Sequence, residues 1–138
     1  MEMSRNQENF IILTVVYDEL NDFCYGDKKD FRDARDLISE LSSCSYDEVS
    51  DYIKASVALT LQNYGTIRSA FLPFLRDWKW ERLPLLTQAI LLTAYAHFYF
   101  VEKIDKKIVI NIAVDFAKKY VDEKQGKFIN AILDGVLK

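Results

Sequence analysis

A chain of 138 residues with a net charge of −3 is one domain by length and long enough to bury its own core. Half of it is apolar and 14% aromatic, with only four glycines and two prolines, a scarcity of breakers that argues against a turn-rich β-sandwich and for long helices. Cys24 and Cys44 show no CxxC spacing and nothing suggests secretion, so reduced, partly buried thiols in a cytoplasmic protein are expected. Charge is uneven: residues 1–65 hold 13 acidic and 6 basic side chains, whereas residues 66–138 hold 8 acidic and 12 basic. Two faces meeting different partners would produce that asymmetry, and so would an ordinary solvated surface.

Taken in order, residues 1–7 are polar. From about Glu8, the spacing of Phe10, Leu13, Thr14, Tyr17, Leu20 and Cys24 describes one helical face, which Tyr25-Gly26-Asp27 ends. A more polar second helix follows, with Phe31, Ala34, Ile38 and Leu41 as a narrow apolar stripe. Ser45 and Glu48 have the spacing of a capping box, which opens a third helix through Tyr52, Ile53, Val57 and Leu61. Asn63-Tyr64-Gly65 is expected to stop it. Ile67, Phe71, Phe74, Leu75 and Trp78 then form the stripe of a fourth helix, kinked or shortened by Pro73.

Residues Leu83–Val101 are apolar on nearly every side, as a buried central helix or a membrane span would be. Roughly 20 apolar residues would suffice to cross a bilayer. Pro84, Thr87, Gln88, Thr93 and His97 interrupt this stretch, and no second span or signal-type segment accompanies it, which favours a buried central helix in a protein with no membrane role. Pro84 suits its first turn. Asp105 caps a sixth helix with Ile108, Val109, Ile112, Ala113, Phe116, Ala117 and Tyr120 inward and Lys106, Lys107, Asp115, Lys118 and Lys119 outward. The last helix runs from about Lys124 to Leu137, with Phe128, Ile129, Ile132, Leu133, Val136 and Leu137 inward. The expected architecture is all-α, seven helices in one domain, in two sub-bundles (residues 1–64 and 65–138) around the central helix.

The second half carries a recognisable order of motifs: Trp80-Glu81-Arg82-Leu83, Gln88 through Ala94, Ile108 through Ala113, Ala117-Lys118-Lys119-Tyr120, and Lys127 through Asp134. This order resembles the NusB family of bacterial transcription antitermination factors over Ile67–Leu137, and Pro73 falls where that family has a proline. Val15-Val16-Tyr17 is similar to the end of the family's first-helix motif. The resemblance implies an all-α protein without an active site or cofactor. It also implies binding to boxA-type ribosomal leader RNA together with the ribosomal protein NusE in the transcription complex, and in some members a homodimer.

The same resemblance marks departures. The family's first helix opens with arginines that meet RNA. Here Ser4 through Asn9 keep Arg5 alone, and residues 1–24 otherwise hold only Glu2, Glu8, Asp18, Glu19 and Asp22 as charges. His97 and Ile112 replace family glutamates, Lys124 replaces an acid and Ala131 a glycine. Since phosphate neutralisation supplies much of nucleic-acid affinity, a protein-interaction module that has lost its RNA face is the alternative reading.

The candidate RNA contacts are Arg5, Lys118, Lys119, Lys124, Lys127 and Phe128, because an aromatic beside lysines can stack a base and hold its phosphate. Lys118 and Lys119 also complement a helix dipole. Phe128 is in register with the inward stripe, so core packing is its second reading. Tyr17 and His97 are candidate partner contacts, and a lone histidine packed in the fold is the plainer account of His97. Asn111 and Asn130, read as opening their helices, are expected to bond helix-end backbone. Trp78, Trp80 and Arg82 are expected to tie the fourth helix to the fifth. The chain has no phosphate loop, no metal-spaced His/Cys set, and no serine with a plausible histidine and acid, so no catalytic or metal site is expected.

Overall fold

The computed structural model describes residues 3–26 and 34–138, and every regular element among them is helical. Seven α-helices follow one another: α1 Arg5–Tyr25, α2 Arg35–Ser42, α3 Asp51–Gln62, α4 Tyr64–Phe71, α5 Leu85–Ala96, α6 Lys106–Tyr120 and α7 Glu123–Val136. Tight 3-10 turns at Tyr46–Glu48, Leu72–Phe74 and Trp80–Arg82 and a π-turn at His97–Val101 complete the path.

α5 is the hub. Every residue from Thr87 to Leu92 is buried, together with Ala94 and Ala96. Its polar residues are bonded rather than tolerated. Gln88 donates through Nε2 to the carbonyls of Trp80 and Leu83, both at 3.1 Å, and so closes the 3-10 turn that delivers the chain into α5. Leaving that amide unpartnered would cost about 1–3 kcal/mol. Thr87 donates to Gln125 of α7 at 2.9 Å, and Thr93 donates back to the Ala89 and Ile90 carbonyls. These interruptions, which separate the stretch from a membrane span, are therefore packing devices. Among the described residues no helix is long and apolar enough to cross a membrane.

Two apolar clusters share α1 between them. Leu13, Val16 and Leu20 enter the larger, with α4, α5, α6 and α7. Ile11, Ile12 and Val15 enter the smaller, with Ile38 of α2 and Val49, Ile53 and Val57 around α3. Their three- and four-residue spacings place the two sets on neighbouring faces of one helix.

Several expected details differ. α1 starts at Arg5, not Glu8, because Ser4 and Gln7 form a reciprocal capping box. Ser45 does bond Glu48 at 3.0 Å, but within a 3-10 turn, and Ser50 is the residue that caps α3 by accepting from Ile53 N. Asn63 alone separates α3 from α4, and Gly65 lies inside α4. α4 ends at Phe71 because Pro73 cannot continue it, which leaves Phe74 exposed and Trp78 59% exposed instead of inward. Trp80 does tie the segment down, 1% exposed and stacked on Phe71 with centroids 5.8 Å apart. Pro84 occupies the N-cap position of α5, outside its first turn, without a side-chain capping bond. On α6, Ile108 and Tyr120 are exposed and Ile110 is buried. Lys106 reaches the end of α7, donating to the Asp134 carbonyl at 3.2 Å. Leu41 and Cys24 are exposed, and Phe31 lies outside the described residues. Asn111 and Asn130 sit in mid-helix on the surface and cap nothing.

Candidate nucleic-acid interface

α6 ends at Tyr120 and α7 begins at Glu123, so the last turn of one helix and the first turns of the next form a single corner. Asp122 fixes that corner by accepting from Gln125 N at 2.7 Å. Lys118 and Lys119 lie on the α6 side, Lys124 and Lys127 on the α7 side, and all four are exposed. The aliphatic stem of Lys118 crosses α7 at Gly126: a Cβ built there would stand 2.9 Å from Lys118 Cγ. The missing side chain is thus what lets the two helices share their cations at close range. Among the described residues, Lys124 and Lys127 enter no ion pair. Phe128 is half-buried and packs against the larger core cluster, which anchors its ring beside the lysines. Core packing thus accounts for the buried part of the Phe128 ring.

Arg5 is used differently. Its guanidinium stands 3.6 Å from the centre of the Tyr52 ring, donates through Nη1 to Glu102 Oε2 at 3.0 Å, and lies 3.4 Å from Glu8 Oε1. Partial burial opposes its charge, but Tyr52, Glu102 and Glu8 outweigh that, and its pKa is raised. Burial pushes the Tyr52 phenol above its ordinary pKa despite Arg5 beside it. It stays protonated and donates to Asn9 Oδ1 at 2.6 Å.

Glu102 has a second partner. His97 is 8% exposed, and its Nε2 lies 2.6 Å from Glu102 Oε2. The π-turn brings this about: Glu102 N also donates to the His97 carbonyl at 3.4 Å, so backbone and side chains join the same two residues. Tyr52 meets His97 edge-on at 5.5 Å. Arg5, Glu8, Tyr52, His97 and Glu102 thus form one junction tying α1 and α3 to the end of α5. Tyr17 stands exposed on α1.

The structure gathers Lys118, Lys119, Lys124, Lys127 and Phe128 at one corner and holds Arg5 elsewhere, in a closed set of pairs. Two residues beside the corner escaped the sequence reading, Phe10 and Tyr120. Both fit an inward stripe by spacing, yet they are 43% and 41% exposed and meet each other at 5.9 Å. The available signal was position: Tyr120 closes its helix and Phe10 follows the first turn, where neighbouring helices cover less.

The described residues form an all-helical bundle with a lysine-rich corner, and sequence comparison identifies the family. The sequence profile of the NusB family matches residues 18–138, and the chain belongs to the NusB family of transcription antitermination factors, which are not enzymes. It is 29% identical over 90 residues to the transcription antitermination protein NusB of Bacillus thuringiensis (strain Al Hakam), covering 65% of this chain and 69% of that protein. Its fold superposes on NusB of T. maritima with a TM-score of 0.77 at 21% identity, over 99% of this chain and 92% of the other. It also superposes on a crystal structure of antitermination factors NusB and NusE in complex with double-stranded RNA. That TM-score is 0.70 at 22% identity, covering 98% of both chains. These likenesses show that the fold is shared.

Proposed function

We propose that this protein acts in transcription antitermination by binding a boxA-type leader RNA together with the ribosomal protein NusE. The observation that carries the reading is the α6–α7 corner, which holds four exposed lysines and a phenylalanine packed on the core. Lysines placed within one turn of each other neutralise successive phosphates, and a fixed ring offers a base a stacking surface. A solved structure that contains NusB, NusE and double-stranded RNA on this fold supports the same reading. In this reading Tyr17 is offered to the protein partner from α1. His97, being buried, contributes by holding the π-turn and Glu102 in place.

The rival reading, a protein-interaction module without RNA binding, is favoured by the pairing of Arg5 and by the acids of α1. A titration of boxA-type RNA, with and without purified NusE, at two salt concentrations separates them. RNA binding that weakens steeply with salt and tightens with NusE supports the first. Salt-insensitive binding to NusE alone supports the second.

A further inference from the structure

Beside the lysine corner runs a groove of about 420 Å³, lined by Met3, Asn6, Gln7, Phe10, Ile11, Leu41, Lys119 and Tyr120. Met3 ahead of α1 supplies it together with three helices: the first turns of α1, the end of α2 and the end of α6. Its volume is within the roughly 300–1,000 Å³ range of ligand-holding pockets. Phe10 and Tyr120 meet in one wall, with centroids 5.9 Å apart and planes at 45°. Tyr120 in turn stacks on Phe116 at 6.1 Å and 27°, so its orientation is set by packing before anything binds. Lys119 carries its ammonium 5.3 Å from the centre of the Tyr120 ring.

The rim is polar in a particular way. Gln7 Oε1 is occupied by the Ser4 amide in the capping box, which leaves its NH₂ group to donate outward. Asn6 is exposed and has both a donor and an acceptor. Among the described residues that line the groove, Lys119 is the only charged side chain and none carries a carboxylate.

We propose that this groove is a subsite for one unpaired nucleobase, stacked on the Phe10–Tyr120 wall, with Lys119 holding its phosphate and the Asn6 and Gln7 amides meeting its edge. The subsite rests on the RNA-binding reading of the neighbouring corner and extends it to residues of α1. Its chemistry selects a base. Among the described lining residues an acidic peptide would find a single cation, a basic one would find no acid, and an aliphatic one would leave the amides and Lys119 unused. It also gives the first helix a means of contacting RNA without arginines: exposed aromatic area and amides where phosphate contacts would otherwise stand.

The experiment compares a short unstructured RNA with the same strand made abasic, so that phosphates remain and bases do not. Wild type should bind the abasic strand about 10-fold more weakly, on the order of one stacked base. Phe10→Ala and Tyr120→Ala should bind the base-bearing strand about 10-fold more weakly than wild type and narrow the gap between the two strands. Phe10→Leu, which keeps the apolar packing, should behave like Phe10→Ala, and unchanged melting of all three variants shows the fold intact. If the variants keep the full discrimination, the base stacks elsewhere and the subsite is wrong while the lysine corner stands. Failure of wild type to bind either strand overturns both. Loss of NusE binding in Phe10→Leu with RNA affinity unchanged makes the groove a protein surface and also overturns the proposal.

Discussion

The first turn of α1 and the corner between α6 and α7 both place cations at the surface, but only one leaves them available. Arg5 faces two carboxylates and a phenol ring, and one of those carboxylates also takes His97. Lys124 and Lys127 face solvent. A cation already paired must lose its partners before it can neutralise a phosphate, and the charge left behind is then unbalanced. Counting basic residues along a chain therefore overstates what nucleic acid can use. The α6–α7 corner is where RNA is expected to bind, and the Arg5 junction is where α1, α3 and α5 are held in register.

The sharpest way to break this distinction is to reverse the corner. The combined change Lys118→Glu, Lys119→Glu, Lys124→Glu and Lys127→Glu should reduce RNA affinity by at least about 100-fold at low salt. It should also flatten the salt dependence by about one unit of slope per lysine. All four side chains are exposed, so circular dichroism should show the helices intact. An unchanged salt slope would remove the corner from the interface.

Arg5→Ala tests the other half. Losing the contact with the Tyr52 face and the half-exposed ion pair to Glu102 should cost about 1 kcal/mol, or on the order of 3 °C in Tm. RNA affinity should stay within about twofold, since no phosphate contact is lost. A large drop in affinity with Tm unchanged would show that Arg5 leaves its partners for RNA.

Much of this was legible in the sequence, and the unread part has a common cause. The all-round apolar character of Leu83–Val101 gave the central helix, because burial on every side leaves no polar stripe. The α-helix covers only Leu85–Ala96, however, and Tyr99 and Phe100 in the π-turn after it are exposed. The lysine corner was legible too, since its members lie within ten residues of one another across one short link. The Arg5 junction was not. Tyr52, His97 and Glu102 lie 47, 92 and 97 positions from Arg5, and periodicity says nothing about which distant residue faces which. Phe10 and Tyr120 failed for a related reason: spacing assigns a side of a helix but not how far the neighbouring helices extend to cover it. Pro73 was correctly read as a breaker, yet the cost of ending α4 there, an exposed Phe74 and Trp78, depended on where the chain turned next.

A smaller effect probes how the corner is preorganised. Gly126→Ala would place a methyl 2.9 Å from Lys118 Cγ, near the root of that side chain, so the whole lysine must take another χ1 rotamer. The helix gains from replacing glycine, by about 0.5–1 kcal/mol, while Lys118 must swing aside. Stability is expected to rise slightly or stay level, and RNA affinity to fall about threefold, as one displaced lysine would give. Equal affinity would mean that Lys118 needs no fixed position, and the corner would then act as diffuse charge rather than as an ordered site.

The smallest expected effect lies on the structural side of the comparison. A cavity of about 30 Å³ sits beneath the Arg5 junction, lined among others by Asn9, Tyr52, Ser56, Thr93 and His97. Ser56 Oγ and Asn9 Nδ2 are buried and have no hydrogen-bond partner among the described residues. A buried hydroxyl without a partner costs free energy, so deleting it should not destabilise. Ser56→Ala is expected to leave chemical-denaturation stability unchanged or raise it by up to about 1 kcal/mol. A loss of that size instead would mean that Ser56 has a bonded partner, such as an ordered water, which a space of this volume can hold. Asn9 lines the same space, accepts from Tyr52, and Tyr52 carries Arg5. In that case the junction holding Arg5 would extend into the core as one continuous polar network, and Arg5→Ala should then couple to Ser56→Ala in a double-mutant cycle rather than add to it.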